Sequence, residues 1–390
     1  MNVRNDDIAA QLRRHLGAEL TREGDLRTAE WRQSVEMVPR EVFLGDHFFR
    51  RIDGASGTMW EPITPSDGKQ WLSLAYENVT WVTQLDGQNT SAPSGPVAGA
   101  PTSSSTLPGL VVRMLEDLQV DDDSRVLEIG TGTGYSTALL AERLGADRVT
   151  SIEVDPHVAD RAREALHRAG YRPRLVVGDG LVGHEEGGPY DRVIATCSVR
   201  YIPAAWLVQA RRGGIVLATL SGWLFGSGLA RLTVTGPSSA EGEFLPGTVS
   251  FMSARPHAGP PLGELPDRED GEERAAVYGG EVLEEWTSRW IAQLAAPGAQ
   301  QFSMRYEDGP MTHWLIDQAA GSWAWLAPAG DGWTVRQGGP RRLWDDIESA
   351  IGGWRRASSP PQQAFRIRIT SGEQVVFLPG ARTLRWVLPG

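Results

Sequence analysis

A glycine loop, Glu128-Ile-Gly130-Thr-Gly132-Thr-Gly134, stands directly after a short apolar run, Arg125–Ile129, and directly before a helical pattern. Glycines at such a junction let the backbone turn tightly and approach a ligand without a Cβ in the way. A dinucleotide loop requires G-x-G-x-x-G, and its third glycine would fall at Tyr135. The E-x-G-x-G-x-G form suits S-adenosyl-L-methionine instead, a ligand with no pyrophosphate to cradle. Two later positions agree. Glu153, at the end of the next strand pattern, is placed to accept hydrogen bonds from both ribose hydroxyls, and Asp179-Gly180, after the third, would sit beside the adenine. With Ile129, Thr131, Tyr135, Val154 and Thr196 on the same rim, these form the expected donor-binding set.

The elements that must position this set alternate. Leu110, Val111, Met114, Leu115 and Leu118 recur at helical spacing from Pro108, and an acidic turn then leads into the Arg125–Ile129 strand. Helices over Ser136–Leu144, His157–Ala169 and Tyr201–Ala210 separate strands at Arg148–Glu153, Arg174–Val177, Arg192–Thr196 and Ile215–Leu220. That alternation predicts an α/β fold: a Rossmann-like, mainly parallel, doubly wound sheet binding its ligand at the carboxyl ends of the strands. Asp155-Pro156 matches N-cap and N1 preferences and is read as the start of a helix.

Outside that core the pattern changes. Ile8, Leu12 and Leu16, then Trp31 and Val35, suggest a short helical entry broken near Gly24, and Asp53–Pro108 reads as loop-dominated, with a β-like piece at Asn78–Gln84. After Val234 the alternation stops; Pro256–Pro266 reads as a connector. Nine of the fifteen tryptophans lie between Trp286 and Trp386, with a helix over Glu281–Leu294 and strands at Phe365–Thr370 and Gln374–Leu378. The expected division is a helical and loop-rich substrate-side region over 1–108, a donor-binding core over 109–254, and a small α+β extension over 255–390, available for peptide recognition.

Composition bounds the function. A chain of 390 residues, 41% hydrophobic and 22% charged, is ordinary for a globular protein of about two domains. A net charge of −11 argues against a broad nucleic-acid surface. A nucleic-acid amino-methyltransferase would also carry an Asn/Asp-Pro-Pro-aromatic motif where Ala195-Thr-Cys-Ser198 stands. Neither an apolar leader nor a bilayer-length apolar run occurs, so a cytoplasmic location without membrane contact is expected. The single cysteine, Cys197, excludes an internal disulfide framework and a cysteine-based zinc cluster, and no metal is expected.

Several of these stretches together resemble the protein-L-isoaspartate O-methyltransferases. The resemblance covers MVPREVFLG at 37 to 45 and, more fully, Ser103–Leu220: VLEIGTGTGY at 126 to 135, SIE at 151 to 153, GDG at 178 to 180, PYD at 189 to 191, IP at 202 to 203 and GG at 213 to 214. In that family a hydroxyl in a Ser-Gln-Pro pattern faces the methyl-accepting carboxylate. The matching triplet here is Thr106-Leu107-Pro108, and the resemblance therefore implies catalytic roles for Thr106 with Ser105 and Ser104. Threonine keeps the hydroxyl but stiffens χ1. An N-cap role for Ser103–Thr106 before Pro108 is the bland alternative.

The resemblance implies S-adenosyl-L-methionine as donor and an aspartyl or isoaspartyl carboxylate of a peptide or protein as acceptor. Long members resemble methyltransferases of bacterial ribosomal-peptide maturation, the ATP-grasp or lanthipeptide-associated systems, which esterify an aspartate in a cyclised precursor whose ester closes to an aspartimide. The roughly 135 residues after Arg255 favour that reading. General isoaspartate repair is the alternative within the class, and a peptide-binding scaffold with a decayed core the alternative outside it. His184, Arg200 and Tyr201 are further candidates for acceptor contacts, as are the backbone and hydroxyls of Thr196–Ser198.

Overall fold

The computed structural model describes residues 3–54, 57–89, 91–305 and 309–389. By compactness the chain forms two units, one of residues 1–196 and 208–217, the other of 197–207 and 218–390.

The first unit opens with helices α1 (Val3–Glu23) and α2 (Ala29–Met37), parted at Gly24. Residues 53–108, expected as loops, instead build most of an antiparallel sheet. Its strands are β1 (Phe48–Gly54), β2 (Gly57–Ile63), β3 (Trp81–Leu85) and β4 (Pro101–Ser105), in the order β2-β1-β3-β4, with α3 (Lys69–Ala75) between β2 and β3. Its apolar content is modest: Phe49, Val82 and Leu85 form a small cluster with Trp60 and Val97 against it. Cross-strand polar pairs do much of the rest, as where Arg50 Nε donates to Glu61 at 3.0 Å across the β1–β2 register. Such pairing is invisible to an apolar-periodicity reading.

From Pro108 the expected alternation is present. Helix α4 (Pro108–Asp117) leads to β5 (Val126–Ile129), α5 (Tyr135–Leu144), β6 (Val149–Glu153), α6 (Pro156–Arg168), β7 (Arg174–Val177) and β8 (Tyr190–Val199). Strand β5 pairs in parallel with both β6 and β8, and β6 with β7, giving the order β8-β5-β6-β7. All four residues of β5 are buried, as a central parallel strand requires. Asp155 caps α6, its side chain accepting from the amides of His157 at 2.9 Å and Val158 at 3.2 Å, with Pro156 at the first helical position.

After α7 (Ala204–Gln209), β9 (Ala210–Ser221) ends in the second unit, where the strands become antiparallel: β10 (Ser227–Gly236) pairs with β11 (Ser239–Phe244). A five-stranded sheet of order β12-β16-β15-β14-β13 follows. It is made of β12 (Glu272–Ala276), β13 (Gln300–Arg305), β14 (Met311–Asp317), β15 (Ser322–Ala329) and β16 (Gly332–Gly338), with α8 (Trp286–Ala295) and α9 (Leu343–Arg356). Strands β17 (Arg366–Ile369), β18 (Gln374–Phe377) and β19 (Arg385–Val387) continue from β11. Trp290, Trp314, Trp323, Trp344 and Trp354 are buried, so tryptophan enrichment here serves mainly to fill cores. Among the described residues no helix is long and apolar enough to cross a membrane, and no group of side chains has metal-binding geometry.

Candidate active site

The glycine loop leaves β5 in a backbone shape that only glycine adopts cheaply. Gly130, Gly132 and Gly134 have φ of 95°, 56° and 90°. The loop is pinned to β6, with the amides of Gly130 and Thr131 both donating to Ile152 O, at 2.8 and 3.2 Å. Thr131 and Ser151 share a hydroxyl bond of 2.6 Å under the turn. From the far side, the Thr196 hydroxyl donates to Ile129 O and Gly130 O. Thr196 therefore braces the loop with the hydroxyl that sequence reading assigned to a ligand.

Two acidic side chains at strand ends hold different positions. Glu128 is fully buried, and its carboxylate accepts from the hydroxyls of Ser136 and Thr137, each at 2.5 Å, and of Ser151 at 2.7 Å. Burial pushes its carboxyl above the usual carboxylate range, while the three hydroxyls pull the other way. Glu153 sits at the rim. Its Oε2 accepts from Gly132 N at 2.9 Å and its Oε1 from Asp155 N at 3.1 Å. Beside it Val154 is exposed, and the Asp179 side chain accepts from Leu181 N at 2.9 Å as the chain turns past β7. A Cβ on Gly180 would lie 2.4 Å from Ile129 Cγ2, so only glycine fits against the end of β5 there.

The hydroxyl run splits into two sets. Along β4 burial alternates, with Ser103 and Ser105 buried while Ser104 and Thr106 remain half-buried, as strand periodicity dictates. Ser103 accepts from Thr83 Oγ1 at 3.3 Å; Ser105 Oγ is buried without a partner among the described residues. None of the run caps α4. Leu107 stands at the N-cap with no side-chain cap bond, and the amides of Leu107 and Gly109 donate instead to Thr80 Oγ1 at 3.0 Å and Asn78 Oδ1 at 2.8 Å. The Ser104 carbonyl faces the glycine loop: a Cβ on Gly132 would stand 3.6 Å from it. Hydroxyl segment and glycine loop are thus neighbours in space.

One residue of the site went unassigned in the sequence. Arg40, on the short turn after α2, is wholly buried, with both terminal guanidinium nitrogens on backbone carbonyls and Nε bonding none of the described residues. Nη1 donates to Ala75 and Glu77 at 2.8 and 2.9 Å; Nη2 donates to Val79 at 3.0 Å, Thr106 at 3.3 Å and Ser105 at 3.5 Å. It lies 5.8 Å from the ring centre of Tyr135, itself buried and 6.0 Å from Phe43. Burial lowers the Arg40 guanidinium to about 10 and pushes the Tyr135 phenol up to about 12. A second bridge runs through Gln84, whose Nε2 donates to Asp155 Oδ2 at 3.3 Å and whose Oε1 accepts from Thr102 at 2.8 Å.

His184 lies in the turn before Tyr190, whose hydroxyl donates to its carbonyl at 2.7 Å, while the His184 ring Nε2 is buried and bonds none of the described residues. The other candidates have partners of their own. In the second unit Arg200 stacks 3.8 Å above the Trp223 ring and donates to Pro297 O, Tyr201 packs on His257, and Ser198 donates to Phe251 O at 3.2 Å.

Residues 89–222 match the family model described as protein-L-isoaspartate(D-aspartate) O-methyltransferase (PCMT). The protein-L-isoaspartate O-methyltransferase of Ignicoccus hospitalis is 31% identical over 207 residues, covering 53% of this chain and 80% of that one. The chain belongs to the protein-L-isoaspartate O-methyltransferase family. That of Hyperthermus butylicus is 31% identical over 222 residues, covering 54% of this chain and 76% of its own. A solved protein-L-isoaspartate O-methyltransferase structure superposes with a TM-score of 0.52 at 21% identity, over 94% of this chain and 99% of that one, which places the fold in the class I methyltransferase group. Because that likeness runs through the residues after Arg255 as well, added length does not by itself separate this methyltransferase from others of its family.

Proposed function

We propose that this family member is an S-adenosyl-L-methionine-dependent carboxyl O-methyltransferase that esterifies an aspartyl or isoaspartyl side chain of a peptide or protein. The observation that carries the reading is the meeting of the Ser104 carbonyl with Gly132, which sets a hydroxyl-bearing segment against the glycine loop. The residues present fit the donor. Three positive-φ glycines leave the loop without Cβ atoms, Glu153 has its carboxylate at the rim, and the buried Ser105 hydroxyl bonds none of the described residues. Gly130–Gly134, Glu153 and Asp179-Gly180 would hold it, with Ile129, Tyr135 and Val154 as the apolar surround.

Bound S-adenosyl-L-methionine supplies a methyl carbon already activated by a sulfonium. An acceptor carboxylate, with an ordinary pKa of about 3.9, is ionised at neutral pH, so no side chain need remove a proton. The protein's task is orientation, which contributes several kcal/mol when reacting atoms are held about 3–3.5 Å apart. Thr106 holds one carboxylate oxygen while the other attacks. Arg40, whose bonds reach that segment, is turned toward backbone carbonyls.

The finer reading is an aspartate in a cyclised precursor peptide; the Ser-to-Thr departure at position 106 puts the choice of acceptor in question without favouring either one. There the next backbone nitrogen attacks the ester carbonyl, its proton leaves with the methoxy group as methanol, and the ring closes to an aspartimide without help from the enzyme. The test offers the protein a linear isoaspartyl peptide and a cyclised aspartyl peptide with S-adenosyl-L-methionine, followed by mass spectrometry. Methyl gain and then methanol loss on the cyclised peptide alone supports the finer reading; methylation of the isoaspartyl peptide alone supports repair. No methylation of either, with no heat on adding the donor, would favour a scaffold.

A further inference from the structure

We propose that Arg40 is a positioning residue for methyl transfer: its buried guanidinium ties the turn at 75–79 to the carbonyls of Ser105 and Thr106, fixing where the Thr106 side chain stands relative to the glycine loop. The proposal rests on the reading of Thr106 as the acceptor-side hydroxyl.

Packing alone does not call for an arginine here. Taking a cation wholly out of water is costly, and an apolar side chain of similar volume would fill the same space without that cost. The bonds Arg40 makes are selective. All five run to backbone carbonyls of two segments far from it in the chain, one of them the end of the hydroxyl run itself. Among the described residues no carboxylate bonds the guanidinium. The adjacent carboxylate of Glu41 is taken by the Tyr76 hydroxyl and by Arg13 at 3.8 Å. Nη2 alone reaches both segments, Val79 on one side and Ser105 and Thr106 on the other, while Nη1 adds Ala75 and Glu77; a lysine, with three donors on one atom, cannot serve all five acceptors.

The same turn holds the segment beyond Thr106 by its side chains, through Thr80 to Leu107 N and Asn78 to Gly109 N. Residues 105–109 are thus stitched to 75–80 by a row of bonds with Arg40 at one end. Below the guanidinium lies Tyr135, the first residue of α5 and the one that follows Gly134. One side chain therefore touches the acceptor segment and the helix that closes the donor loop. Its role is to hold the spacing between them.

The test uses the full chain with Arg40→Lys and Thr80→Val. Thr80 is exposed, and its replacement removes only the acceptor for Leu107 N. Arg40→Lys is expected to lower kcat on an isoaspartyl peptide at least tenfold while the calorimetric Kd for S-adenosyl-L-methionine stays within threefold; Thr80→Val should lower kcat three- to tenfold with the same unchanged Kd. Hydrogen exchange reports placement without any turnover: the amides of Leu107 and Gly109 should exchange at least tenfold faster in Arg40→Lys, while those of Val126–Ile129 keep their wild-type rates. Unchanged kcat in either variant, a donor Kd that worsens as much as kcat, or unaltered exchange at Leu107 and Gly109 would overturn the assignment. If Arg40→Lys fails to fold, the Thr80→Val kcat and exchange decide alone. If the wild-type protein does not methylate the isoaspartyl peptide, the functional reading fails there, and the exchange rates still decide the role of Arg40.

Discussion

Glu153 Oε2 accepts the amide of Gly132 at 2.9 Å, so one rim carboxylate organises the glycine loop with the same group that is assigned to a donor's ribose. A charge-assisted bond of this kind contributes about 1.5–3 kcal/mol. Glu153→Gln should therefore weaken S-adenosyl-L-methionine binding about 10- to 100-fold by calorimetry. A Kd within twofold of wild type would show that the carboxylate serves the loop alone.

Gly132 also limits what the loop tolerates. At φ 56° a side chain is strained whatever space surrounds it, and a β-branched one most of all. Gly132→Val is expected to abolish measurable donor binding, with loss of heat on titration, while the far-ultraviolet circular dichroism of the chain is retained.

Thr106→Ala should divide the two halves of the site. Removing the hydroxyl is expected to lower turnover about 10- to 100-fold, in line with the loss of one oriented hydrogen bond to a charged group, while donor affinity stays within twofold. Equal losses of donor affinity in Thr106→Ala and Gly132→Val would contradict the separation of acceptor and donor roles.

Glu128 predicts a pH effect on stability. Its folded carboxyl titrates above its unfolded value, so the folded state holds the proton more strongly. That contribution is fully present below the unfolded value, about 4.3, and is lost as pH rises through the folded one. Compared with Glu128→Gln, the wild-type protein should lose relative stability as pH increases from about 4 upward, read as the difference in Tm between the two at each pH. A difference independent of pH would mean that the three hydroxyls cancel the cost of burial.

In the second unit Trp344 is fully buried and its indole N–H donates to Tyr278 O at 3.1 Å. Trp344→Ala should cost about 3–5 kcal/mol in urea unfolding of that unit. A loss under about 1 kcal/mol would mean that the indole is not part of a packed core.

Sequence carried the parallel strands and the rim well, because β5 and its neighbours are continuous apolar runs bounded by glycine and acidic turns, and the α6 cap is spelled out in Asp155-Pro156. It carried β1–β4 poorly. Phe48-Phe49 followed by Arg50-Arg51 has no clean alternation, and the sheet is held partly by cross-strand pairs such as Arg50 with Glu61. Strands β13–β16 and α9 were likewise unread, although β15 holds Trp323 and Trp325 two residues apart on a single face. Arg40 was beyond reach for a different reason. Its partners are backbone carbonyls from 75–79 and 105–106, and no side-chain pattern marks a carbonyl that will meet a guanidinium. The hydroxyl run divides by strand alternation, since adjacent residues on an extended segment cannot all face one ligand.

The most direct test of the account is a crystal structure of the protein soaked with S-adenosyl-L-homocysteine, the demethylated product. The expected result is density along Gly130–Gly134 with ribose hydroxyls on the Glu153 carboxylate and the sulfur turned toward Thr106. Density elsewhere, or a rim closed by the protein's own side chains at saturating ligand, would contradict it.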